Sequence, residues 1–223
     1  MTIPEFTRVN VVGRGRVGSA LAARLAERGM LTNEGDVDLV LLCVPDAAIA
    51  GVAASLARGP WVAHVSGATP LAALAPHTDR FSLHPLQTFT RVRGAEQIDG
   101  AWAAITGETE AALAVGRRLA HALGLRPFDL ADDRRALYHA GASIASNFLV
   151  TLHRAAVRAM EAAGAPPEAL LPLMRRTMEN HFDLTGPIAR GDLATVEAHL
   201  AAIRRDLPDL EPMYRALAEA TRQ

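Results

Sequence analysis

The stretch VNVVGRGRVGSALAARL, residues 9–25, restricts the chain to few folds. A short β-rich run leads straight into Gly13-x-Gly15-x-x-Gly18, and apolar residues at helical spacing follow. The glycines permit a tight turn, close approach of a pyrophosphate and tight helix packing, while the helix start supplies N–H groups without intrahelical partners. The pattern alone also describes a purely structural glycine turn. Standing between a first strand and a helix, it points to a nucleotide-type anion site on Gly13, Arg14, Gly15, Arg16, Val17 and Gly18.

The next residues carry the alternation forward. Residues 9–12, 39–44, 61–65, 80–84, 102–106 and 127–130 read as strands. Residues 17–28, 47–56 and 110–123 read as helices, with Asp46 and Thr109 as expected N-caps. Such alternation predicts an α/β fold, a mainly parallel sheet with helices on both faces. From residue 132 the strand signal ends. Residues 133–163 form one long apolar-periodic stretch closed by Gly164 and Pro166-Pro167. Three more helical patterns follow, at 168–181, 192–205 and 210–222, and Gly186-Pro187 breaks the loop between the first two. The expected division is a dinucleotide-type domain at 1–131 and an all-helical domain at 132–223.

One unit of the expected sheet is missing. An acidic residue normally ends a second strand about 20 residues beyond the glycines. Here Asp36 and Asp38 precede the run LVLLCVP rather than ending a strand, so neither is assigned to a ribose. Too few residues lie between Gly29 and Asp38 for a strand and its crossover helix. The second strand is expected to be absent.

Net charge is −1 and all 23 basic residues are Arg, so no lysine can form a Schiff base or act as an acid. The charge balance favours neither nucleic acid nor an anionic membrane. Cys43 lies in an apolar run and reads as a buried, inert thiol. The N-terminus lacks the pattern of a signal peptide and no apolar run reaches membrane length, so a cytoplasmic protein is expected. The histidines lack paired ligand spacing, and no metal is expected. Hydrolase and P-loop motifs are absent.

GRGRVG, VPD (44–46), VSGA (65–68), SLHPLQTF (82–89), LYHAGASIASNFL (137–149) and TGPIARGD (185–192) resemble the Rossmann-like proteins that carry a DUF2520 helical domain. Those belong to the superfamily of 6-phosphogluconate, 3-hydroxyisobutyrate and ketopantoate dehydrogenases and reductases. The resemblance implies an NAD(P)-linked oxidoreductase on a small oxo or hydroxy acid, acting as a homodimer, with Val44 and Pro45 beside the cofactor. Two departures stand out. The second strand is lacking, and Ser143 occupies the place, four residues before Asn147, where that superfamily often has a Lys.

Hydride transfer to a carbonyl needs a proton donor and a group to hold the acid. His84, expected to end a strand before Pro85, and His139 are the titratable candidates. Asn147 lies eight residues after His139 and shares its face on an unbroken helix. Ser66 and Gly67 match the substrate loop of the hydroxyacid dehydrogenases. Arg190, with Asn180 upstream, can grip a carboxylate, and Asp192 is the expected N-cap of the following helix. Arg14 and Arg16 favour NADP over NAD. Each of these residues also has an ordinary structural reading: turn serine, satisfied histidine, buried polar ladder. A non-redox isomerase or lyase using both histidines, and a non-catalytic binding module, therefore remain alternatives.

Overall fold

The computed structural model describes residues 6–32 and 36–222; the N-terminal residues 1–5 and part of the expected strand gap, 33–35, lie outside it. Two compact units divide at Ile144/Ala145. The first holds strands β1 (Val9–Val12), β2 (Leu39–Leu42), β3 (Trp61–His64), β4 (Arg80–Leu86), β5 (Trp102–Gly107) and β6 (Arg126–Asp129). They form one sheet in chain order, parallel throughout except for the antiparallel β4–β5 pair. Helices α1 (Arg16–Glu27), α2 (Ile49–Ser55), α3 (Glu110–Leu123) and α4 (Arg135–Ser143) complete this unit.

Alternate residues of the inner strand β2 bury opposite faces, which is why Leu39–Leu42 is apolar on both sides. Leu39, Leu41 and Ala63 pack with Leu21 and Leu25 of α1 and Val115 and Leu119 of α3. Val40, Leu42 and Val62 pack with Ile49 and Ala53 of α2 on the other face. The expected mainly parallel sheet, covered on both sides, is present. Thr109 caps α3 by accepting from the Ala112 N–H at 3.1 Å.

Among the described residues the second strand shows a single pairing. Leu31 forms an isolated parallel bridge to Val9, with Val9 N–H donating to the Met30 carbonyl at 2.8 Å and Thr32 N–H to the Val9 carbonyl at 3.0 Å. Asp38 serves the opposite end of the sheet: its carboxylate accepts from the N–H groups of Thr7 (2.7 Å) and Arg8 (2.9 Å). Those backbone donors hold its carboxyl below the usual range. It is a strand anchor, as its position before β2 implies.

Three local expectations need correction. β4 does not stop at His84 but continues through Pro85 to Leu86. β3 pairs with it only as far as Ser82, so Pro85 lies where the strand has one neighbour and its missing N–H is tolerated. The helical stretch from residue 133 is not one unbroken α-helix. α4 ends at Ser143 and Ile144–Phe148 forms a π-helical turn before α5 (Leu149–Ala162). The boundary between units also falls at 144/145 rather than 131/132. Arg135 and Tyr138 bind α4 to the sheet, through contacts that no periodicity reveals.

The second unit comprises α5 (Leu149–Ala162), α6 (Leu170–Glu179), α7 (Leu193–Asp206) and α8 (Glu211–Thr221). Asp192 caps α7 by accepting from the Thr195 N–H at 3.0 Å. Arg158 clamps Asp209 with two bonds of 2.8 Å, tying α5 to the turn before α8. No helix among the described residues is long and apolar enough to cross a membrane.

Candidate active site

The C-terminal ends of β1, β2 and β3 carry three loops: the glycine turn, Val44-Pro45-Asp46 and Val65-Ser66-Gly67. Together with His84 and His139 they line an open cavity of about 480 Å³. Crevices at this edge of a parallel sheet are where ligands bind in open α/β folds. Eleven of the expected site residues line it: Gly13, Arg14, Gly15, Arg16, Val17, Val44, Pro45, Ser66, Gly67, His84 and His139.

The three glycines serve three separate needs. Gly13 has φ +101°, and a Cβ on it would stand 2.5 Å from the Cys43 carbonyl oxygen. A Cβ on Gly18 would meet the Gly13 carbonyl oxygen at 2.1 Å, so this residue sets the packing of α1 against the turn rather than lining the cavity. Gly15 has nothing within 4 Å, so a side chain there would project into open space beside the α1 N-terminus. That space is the cradle a pyrophosphate requires, and the residues present fit a dinucleotide. Gly15 caps α1 without a side-chain bond, and no acidic residue sits in the first turn to neutralise its positive end. Cys43 packs behind the turn, and burial pushes its thiol up to about 12, which keeps it protonated.

His84 and His139 meet edge-to-face, ring centroids 6.0 Å apart, over Gly67. A Cβ on Gly67 would lie 2.6 Å from His139 Cδ2 and 2.9 Å from His84 Nε2, so only glycine leaves room for both rings. Nδ1 of His84 is 2.8 Å from the Tyr138 hydroxyl. Burial first, then the neighbouring His139 and Arg135, push His84 down to about 4, so its ring is neutral at pH 7. Burial raises Tyr138 to about 12, so its hydroxyl keeps its proton. We assign that hydroxyl as the donor to Nδ1, which places the imidazole hydrogen on Nε2, at the Gly67 edge of the cavity.

Beneath these loops lies Arg135, 1% exposed. Its guanidinium donates to Ser82 Oγ at 2.5 Å, to Thr106 Oγ1 at 2.9 Å and to the Ser66 carbonyl. The nearest carboxylate, Asp132, is 3.8 Å from Nε and is itself held by the Leu71 N–H. This buried cation lies under the Ser66 turn, with Asp132 as its nearest carboxylate and Asp46 acting on it from the cavity lining. It helps to keep His64 neutral as well, though burial is the larger cause of that ring's fall to about 3.

Ser66 has a different job from the one expected. Its hydroxyl is 2.8 Å from Asp46 Oδ2 and 2.9 Å from the Thr69 hydroxyl. It also accepts from the N–H groups of Ala68 and Thr69. An oxygen so engaged has no capacity left to orient a substrate. Asp46, expected as an N-cap, instead takes the Ser66 hydroxyl, and the turn that follows it has no side-chain cap.

Asn147, Asn180 and Arg190 belong to the helical unit, and all three are exposed. Asn147 lies within the π-helical turn, which breaks the α-helical register behind its expected face-sharing with His139. Asn180 ends α6, its N–H bonded to the Arg176 carbonyl at 2.9 Å. Arg190 lies in the loop before α7. Sequence reasoning missed Arg135 altogether and gave Tyr138 no role. An arginine three residues before a tyrosine-histidine pair on an apolar helix was the only available signal. Among the described residues no group of three or more His, Cys, Asp or Glu is placed to hold a metal ion.

The family model for DUF2520, a domain of unknown function, matches residues 101–221, just over half of the chain. No curated relative matches. Among solved structures, a candidate NADP oxidoreductase from Bacteroides fragilis superposes with TM-score 0.80 at 20% identity, over 97% of this chain and 98% of that one. Protein TM1727 from Thermotoga maritima gives TM-score 0.77 at 26% identity, over 96% of each chain. A 1-pyrroline-5-carboxylate reductase from Streptococcus pyogenes gives 0.61 at 16% identity, again over 96% of each. These likenesses show a Rossmann-like sheet followed by helices.

Proposed function

The chain belongs to the DUF2520 family, and on that premise we propose that it is an NAD(P)-dependent oxidoreductase reducing a small oxo acid or imine. The observation that carries this reading is the single cavity joining an uncapped α1 N-terminus and the bare Gly15 to His84 and His139. Similar folds in a candidate NADP oxidoreductase and a pyrroline-carboxylate reductase support it.

The residues of the glycine turn would hold the pyrophosphate, with Val44 and Pro45 beside it. When bound, the nicotinamide supplies the hydride. The protein must then deliver one proton to the substrate oxygen or nitrogen. His84 is neutral, so it acts as a hydrogen-bond donor through Nε2 rather than as an imidazolium acid. As negative charge develops on the substrate, the Nε2 proton transfers to it and the Tyr138 hydroxyl proton moves onto Nδ1. The Arg135 charge stabilises the phenolate left behind, which takes its proton back from solvent. His139 lines the same cavity and is the alternative donor. Ser66, whose hydroxyl is taken up by Asp46 and its own turn, holds no substrate.

A homodimer is part of the same proposal. In the helical unit the buried apolar residues, among those described, are Ala155, Val196, Leu200 and Ala218, while Leu173, Phe182 and Leu184 stand exposed. Exposed apolar surface of this kind is ordinarily covered by a partner, and a second copy supplies matching surface. Light scattering at micromolar concentration is expected to give twice the chain mass.

A non-redox reading retains one observation in its favour: among the described residues the second strand is reduced to Leu31. Calorimetric titration with NADPH and NADH separates the two. Micromolar binding by the wild type, abolished in Gly15→Asp, supports the oxidoreductase. Absence of binding at millimolar cofactor overturns it.

A further inference from the structure

A second cavity, of about 370 Å³, opens on the other side of the glycine turn. It is lined by Arg14, Arg16, Arg91 and Arg93, and among the described residues no carboxylate shares the lining. Four cations around one hollow are conspicuous in a chain whose net charge is −1. Ser19 and Ala23 of α1 form one wall and the connection after β4 forms the other, so the hollow borders the uncapped first turn of α1.

The arginine-bearing connection is built to hold its shape. Gln97, 3% exposed, donates to the carbonyls of Arg93 (3.0 Å) and Gly94 (2.9 Å) and accepts from the Thr90 N–H at 2.9 Å. One buried amide thus fixes both ends of the segment between Thr90 and Gly94. Arg24, itself 8% exposed, locks the following turn to α1 through Asp99 at 2.6 Å and the Ala95 carbonyl at 3.1 Å. Arg91 and Arg93 are therefore presented from a supported segment toward the start of α1. Arg93 keeps an exposed pair with Glu96 at 3.4 Å, a weak contact that a dianion can displace.

We propose that this second cavity binds a phosphate monoester, the ribose 2′-phosphate of NADPH, through Arg91 and Arg93 together with Arg14 and Arg16. The inference rests on the dinucleotide reading. It also gives that reading an adenosine-side contact that does not depend on a second strand, which among the described residues amounts to the Leu31 bridge. Both cavities share Arg14, Gly15 and Arg16, so one ligand with its pyrophosphate at the glycine turn can reach into each. Planar guanidinium groups match phosphate oxygens bidentately, and a dianion gains most from several of them.

The test is calorimetry on the full chain with NADPH, NADH, 2′,5′-ADP and 5′-AMP, comparing wild type with R91S/R93S. Thermal melting confirms that the variant folds. The expected result is at least tenfold tighter binding of the two 2′-phosphate ligands than of their unphosphorylated counterparts, with that preference lost in the variant. Equal binding by the wild type, or a preference that survives in R91S/R93S, overturns the proposal while leaving a dinucleotide enzyme standing. If neither dinucleotide binds but 2′,5′-ADP does, with the same arginine dependence, the phosphate site stands and the oxidoreductase reading falls. If none of the four ligands binds, both fall.

Discussion

The Tyr138 hydroxyl lies 2.8 Å from His84 Nδ1, joining the first helix beyond the sheet to the fourth strand, 54 residues away in the chain. With the hydroxyl assigned as donor, the bond leaves the imidazole hydrogen on Nε2, the nitrogen at the Gly67 edge of the cavity. Tyr138→Phe removes the donor and little volume. Turnover is expected to fall by about 100-fold or more, the usual worth of a positioned proton donor, with NADPH affinity unchanged. Single-turnover kinetics beside calorimetry checks this, and an undiminished rate would exclude Tyr138 from the relay.

His84 and His64 make stability depend on pH. Both are depressed in the folded chain, to about 4 and about 3, from an ordinary 6.5. The unfolded chain therefore binds more protons in this range. Stability from these two groups is complete above the unfolded value and is lost as pH falls towards the folded ones. By about pH 5 each costs about 2 kcal/mol. Urea midpoints at neutral and mildly acid pH should show the drop, and His84→Asn should remove about half of it.

Gly15→Ala and Gly18→Ala should have opposite consequences. A Cβ at Gly18 collides with a backbone oxygen at 2.1 Å, whereas one at Gly15 meets nothing within 4 Å. Gly18→Ala is expected to destabilise the fold by about 2 kcal/mol, as overpacking against backbone does. Gly15→Ala should melt like the wild type and bind NADPH at least tenfold more weakly. A Gly15→Ala chain with wild-type affinity would remove the pyrophosphate from the glycine turn.

Arg135→Met strips donors from Ser82, Thr106 and the Ser66 carbonyl, all buried. Loss of about 3 kcal/mol in urea unfolding is expected. The removed charge has its own signature. Arg135 helps to depress His84, so the His84 ring should titrate at a higher pH in the variant, read by NMR.

Much of the fold was legible because it is written in local periodicity. Apolar runs broken by helical spacing mark out the six strands, and Thr109 and Asp192 start their helices where short polar residues should. The glycine turn was legible for the same reason, since three glycines at fixed spacing answer to backbone geometry within six residues. His84 and His139 were legible as chemistry sharing one site, but not their edge-to-face contact over Gly67. The π-helical turn at Ile144–Phe148 was not legible, because its residues are ordinary helix formers.

By itself the sequence determined the order of the elements, the glycine turn, the shortened second unit and the absence of lysine chemistry. All of these are set within a few residues or by composition alone. Only the tertiary structure decided that Arg135 lies under the site, that Ser66 is consumed by Asp46 and its own turn, and that Arg91 and Arg93 border the start of α1. The reason is physical: burial and pairing between residues far apart in the chain depend on how the sheet brings loops together. Those contacts, rather than the residue types, set the state of His84 and the charge of each cavity.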